Sequence, residues 1–164
     1  MKERYLILPL IGFFLWRKKR LVAVKEKSTP LVEYRSDLED FLGKTMSFLN
    51  DPVGASFCKE FPALFNQAMK ACEARLGAGC FRLPKNGDGP RRPISMALFE
   101  TIGYIMIESQ PTLGENQGLI RSEFQLLLTN QIFIRSTTYV VDSNISVKKR
   151  FEFAEEVIRR IRHA

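Results

Sequence analysis

Three cysteines, one histidine and two short acidic clusters are the residues of this chain whose types could carry catalysis or hold a metal. Their spacing supports neither. Cys58, Cys72 and Cys80 include no CxxC pair, and His163 stands at the C-terminal end, so zinc-ligand spacing is absent. A Ser-His-Asp or Cys-His arrangement needs a histidine held within the fold, which His163 does not offer. The cysteines read as small buried residues of a reduced, cytoplasmic protein. Asp37, Glu39 and Asp40 lie where a helix N-terminus favours negative charge. Glu152, Glu155 and Glu156 fall on another helix, where Glu155 with Arg159 and Glu156 with Arg160 are i,i+4 pairs in the favourable order. Both clusters read as structural. The expectation is a chain with no catalytic residue of its own, no metal and no cofactor.

The bases are a different matter. Lysine and arginine number 25 against 18 acids, giving a net charge of +7 and a pI near 9.5, a balance that permits phosphate backbones or anionic membranes as partners. One concentration is the loop KNGDGPRRP with Arg82, Lys85, Arg91 and Arg92. It lacks the GxxxxGK[ST] pattern of a phosphate-gripping P-loop. Arg91 and Arg92 do precede a helix N-terminus, so an anion contact and a solvated connector both fit. The second concentration is the last helix, with Lys148, Lys149, Arg159 and Arg160. These could track double-stranded DNA, or form a solvated face partly neutralised by the glutamates beside them.

The elements that must position these residues are helical. Ser36 and Glu39 make a capping box before Leu38, Phe41, Leu42, Thr45 and Leu49, and the helix should end at Asn50-Asp51-Pro52. A second helix over 56–76 buries Phe57, Phe61, Leu64, Phe65, Ala68, Met69 and Cys72, with Pro62 in its first turn and Gly77 at its stop. Ser95 should cap a third, whose Gly103 permits close approach of another helix. A fourth should run from Leu119 to Arg135, followed by the irregular RSTTYVVDSN. Asn144 should cap a fifth, with Val147, Phe151, Ala154, Ile158 and Ile161 at 4-3-4-3 spacing. Arg150 should fold back over Thr137-Thr138 in a structural role. The 13 phenylalanines suggest a core wedged by aromatic rings.

The N-terminus stands apart. Twelve apolar residues from Tyr5 to Trp16 precede four consecutive bases, Arg17 to Arg20. The run is shorter than the roughly 20 residues a membrane-spanning helix needs. Three readings fit it: an interfacial anchor with a basic collar, a strand or helix docked on the body, or the start of a truncated longer chain. In a protein-interaction or membrane-peripheral module, Tyr5, Leu6, Leu8, Phe13, Phe14 and Trp16 would bury against lipid, a protein partner or a second copy. The whole then reads as all-α: residues 1–33 a hydrophobic, basic N-terminal segment (short, extended or helical) with a linker, and residues 34–164 an irregular bundle of about five helices.

Three segments in order, FPALFNQAMKACEARLGAGCFRL, RRPISMALFETIGYIM and FIRSTTYVVDSNISVKKRFEFAEEVIRRI, carry a family resemblance. Together they resemble the helical C-terminal half of the GmrSD restriction endonuclease N-terminal domain, a ParB-like family of phage-defence proteins, over residues 36 to 162. The resemblance implies a nuclease context. The family's Asp-Gly-Gln-Gln-Arg motif does not occur here, and NGDGP shares only an Asp-Gly in the wrong half. No catalytic residue carries over. The expectation is a non-catalytic helical portion that contacts DNA or assembles with a catalytic nuclease subunit. The alternative is a protein-interaction or membrane-peripheral module.

Overall fold

The computed structural model describes residues 4–24, 30–84, 92–110 and 117–163. Among these the fold is all-α, with seven α-helices: α1 (Arg4–Arg17), α2 (Leu38–Asn50), α3 (Ala55–Leu76), α4 (Met96–Glu108), α5 (Gln117–Thr129), α6 (Gln131–Thr138) and α7 (Asn144–Arg162). A 3-10 turn, Pro52–Gly54, joins α2 to α3. The excess over about five helices has two sources. The N-terminal run is a helix, and the stretch expected as one helix from Leu119 to Arg135 is two. Asn130 breaks it by accepting hydrogen bonds from the amides of Ile132 and Phe133, both at 3.0 Å, so that α6 starts there and runs on to Thr138.

Helix α4 is the centre. Every residue from Ala97 to Ile107 is buried, as expected of a helix apolar on all sides. Helices α1, α3 and α7 pack around it. Helix α1 obeys the same rule: its apolar residues have no polar face, and Leu10, Phe13, Phe14, Leu15 and Trp16 are buried in one core with the rest. The run is a helix docked on the body, as one of the three readings of the N-terminus has it. Leu8 is half-buried, and the side chains of Tyr5 and Leu6 lie outside the described residues.

Two glycines let α1 in. At Gly103 a Cβ would meet Leu10 Cδ2 at 3.0 Å, so the absent side chain admits α1 against α4. At Gly12 a Cβ would meet Phe41 Cε1 and Thr45 Oγ1 at 2.8 Å, where α2 crosses α1. Phe13 then stands among Tyr34, Phe41 and Phe151 with ring centroids 5.0 to 5.4 Å apart. The chain after α1 pairs once with itself, through an antiparallel bridge from Val22 to Leu31.

Several local expectations are corrected. The α2 cap is Asp37, accepting from the amide of Asp40, with Ser36 in the left-handed region at φ 62°. Ser36 Oγ instead accepts from the amide of Asn144 at 2.6 Å. Helix α3 begins at Ala55, so Pro62 lies inside it. Ser143, not Asn144, caps α7. Cys58 is exposed, whereas Cys72 and Cys80 are buried. A thiol hydrogen bond with Cys80, together with burial, pushes the Cys72 thiol up.

Arg150 is structural, by a route the sequence did not reveal. It is buried and pairs with Glu100 of α4 at 2.6 Å. Its other nitrogen donates to the carbonyl of Val141. The adjacent carbonyl of Asp142 accepts from Tyr34 Oη at 2.5 Å. Val140, at φ 43°, turns the chain so that both carbonyls face inward. This strained turn is thus held by two buried donors.

Candidate anion-binding site

The residues expected to contact DNA do not form one surface. Lys85 and Arg91 lie outside the described residues. Arg82 donates to the carbonyl of Arg92, closing the base of the α3–α4 loop. Lys149 pairs with Glu152 at 3.1 Å. Arg160 ties α7 to α5 through Glu123 at 2.8 Å and also reaches Glu156 at 3.6 Å. Arg159 reaches Glu156 only at 3.8 Å and stays largely exposed. Lys148 is exposed and, among the described residues, makes no ion pair. Lys148 and Lys149 sit about three helical turns from Arg159. Much of the α7 basic face is therefore neutralised locally. The i,i+4 pair from Glu156 to Arg160 forms, whereas Glu155 turns to Arg17 instead.

A different arrangement of bases does converge. The C-terminal ends of α1, α4 and α7 meet around a groove of about 460 Å³. Arg17, Lys18 and Lys19 come from the end of α1, and Arg159, Arg162 and His163 from the end of α7. Tyr104 and Ile158 contribute apolar lining. Among its described lining residues Glu108 and Glu155 are the only carboxylates, against five permanent cations. Glu155 accepts from Arg17 at 2.5 Å. Glu108, largely buried, holds Lys18 at 2.9 Å and Arg162 at 3.0 Å, bridging α1 to α7.

Part of this charge serves the helices themselves. Three helix C-termini carry partial negative charge here, and bases offset it. Arg162 donates to the carbonyl of Glu108 at 2.6 Å, one of the orphan acceptors at the end of α4. Two carboxylates and three helix ends nevertheless leave Lys19 and Arg159 facing solvent. The groove can hold a multiply charged anion by direct ion pairing. It presents no nucleophile with a base beside it. Among the described residues no group of three or more His, Cys, Asp or Glu is close enough together to hold a metal ion.

The sequence signal for this groove was present but divided. WRKKR and RRIRH are the two densest basic runs that flank helix ends, and each reads alone as a collar or a solvated face. Only the packing of α1 and α7 on α4 in the same direction, with their C-terminal ends together, joins them. No protein-family model, curated protein or solved structure matches the chain.

Proposed function

We propose that this chain is a non-catalytic helical module that docks on the phosphate backbone of double-stranded DNA through the cationic groove. We propose further that it works beside a catalytic nuclease subunit in a restriction-like defence system. The observation that carries the DNA reading is the groove itself: folding brings two basic runs from opposite ends of the sequence together, with more cations than carboxylates. Neutralising phosphates and releasing their counterions is what such a surface does best. The nuclease and defence setting rests on the sequence resemblance alone.

Charge reversal tests the assignment. Lys19→Glu with Arg159→Glu should weaken binding to a labelled duplex and reduce the salt slope by about two. Lys148→Glu with Lys149→Glu, on the other part of α7, should leave binding close to the parent's. The opposite pattern would move the interface to the N-terminal part of α7. No effect from either pair would remove DNA as the ligand.

The peripheral-membrane and interaction alternative has less support. Phe13, Phe14 and Trp16 are buried in the core, so their apolar surface is already covered. Among the described residues no helix is long and apolar enough to cross a membrane.

A further inference from the structure

Among the described residues, three other than glycine sit in the left-handed region: Lys19 at φ 53°, Ser36 at φ 62° and Val140 at φ 43°. Side chains with a Cβ pay for that conformation in steric strain. Two of the three have a clear structural return. Ser36 Oγ accepts from the amide of Asn144, and Val140 aims the Val141 and Asp142 carbonyls at Arg150 and Tyr34. Lys19 differs. Its backbone completes a Schellman motif at the end of α1, with Lys19 N–H bonded to the carbonyl of Trp16 at 3.0 Å and Arg20 N–H to that of Leu15 at 2.8 Å. Glycine would make the same two bonds without strain. Among the described residues the Lys19 ammonium has no carboxylate, hydrogen-bond or ring partner, although Arg17 and Lys18 beside it are both ion-paired.

We infer that Lys19 is the docking residue of the cationic groove, kept at a strained helix end because its free ammonium takes a phosphoryl oxygen of the ligand. Arg17, Lys18 and Arg162 are held by Glu155 and Glu108 and form the fixed wall. Lys19 lines the same groove, remains exposed and, unlike Arg159 with its 3.8 Å contact to Glu156, has no carboxylate partner among the described residues, so its pairing is left to a ligand. This rests on the reading that the groove binds a phosphate-bearing anion. The phosphoryl group can belong to a DNA backbone or to a small phosphoanion, and the test separates the two.

Lys19→Gly and Lys19→Ala are compared with the parent by thermal melting and by binding to a labelled duplex and to inorganic tripolyphosphate. Lys19→Gly should raise the melting temperature by about 2–4 °C, as expected for relief of one strained residue in a chain of this size. It should at the same time bind the duplex several-fold more weakly, with a salt slope lower by about one. Lys19→Ala keeps the strain, so it should lose the same affinity without the thermal gain. A purely structural Lys19 would not set stability and affinity moving in opposite directions. If Lys19→Gly melts higher and binds as the parent does, the inference is overturned while the groove reading survives. If the parent binds neither probe, both fall. Loss of tripolyphosphate binding alone, with duplex binding intact, would reassign Lys19 to a small phosphoanion and overturn its place in the DNA contact.

Discussion

Arg150, 1% exposed, is the most deeply buried charged residue described. Its guanidinium is buried against Glu100 and the 139–143 turn. Arg150→Met should cost about 3–5 kcal/mol, because it leaves a buried carboxyl without its cation and frees the Val141 carbonyl. Urea denaturation, read as a shifted midpoint at unchanged slope, measures this. Glu100 adds a pH dependence. Burial, opposed by Arg150, pushes its carboxyl up from 4.5 to about 7. The folded state then keeps a proton that the unfolded chain releases, so this group's contribution to stability is full below 4.5 and falls as pH rises to about 7. Parent stability relative to Glu100→Gln should therefore decline between about pH 5 and pH 8. A constant difference would mean that Glu100 titrates in the ordinary carboxylate range. The structural role of Arg150 was legible in the sequence from its place beside buried Phe151. Its partner was not, because Glu100 interrupts an otherwise apolar stripe, and nothing local says whether such a residue is exposed or paired.

Helices meet here where glycine allows it. Gly12→Ala would drive a Cβ to 2.8 Å from Phe41 and Thr45, both buried and unable to yield. The expected loss is about 1–3 kcal/mol. Gly43→Ala is the matched opposite. It lies in α2 with nothing within 4 Å of its added Cβ, so helix propensity should stabilise the protein by about 1 kcal/mol. Thermal melts of the two variants should move in opposite directions, and a stable Gly12→Ala protein would contradict the close crossing of α1 and α2. Gly103 could be read from sequence as a close approach because it interrupts a clear helical stripe. Gly12 could not, because its helix looked like a segment apart from the bundle. A run apolar on every side fits an interfacial anchor or a buried core helix equally well, and only its neighbours decide. The Asn130 break was missed for a related reason. The apolar period continues across it, and its capping role shows only in its bonds to Ile132 and Phe133.

At the scale of the whole molecule, α1 and α7 lie against α4 so that the two ends of the chain build one surface. The all-α class and the buried face of α7 were legible because they depend on local period. The cationic groove was not, because it depends on which helix ends meet. The loop that drew attention in the sequence has its described ends tied together by Arg82 with Arg92 and by the Ser95 amide with the Phe81 carbonyl at 2.8 Å. The most direct test of the central claim is the affinity of the unmodified protein for duplex DNA across a salt series. The account predicts that log affinity falls linearly with log salt, with a slope of about −2 to −4, for a few phosphates engaged at the groove. No binding, or an affinity indifferent to salt, would contradict it and leave these bases as complements to three helix ends.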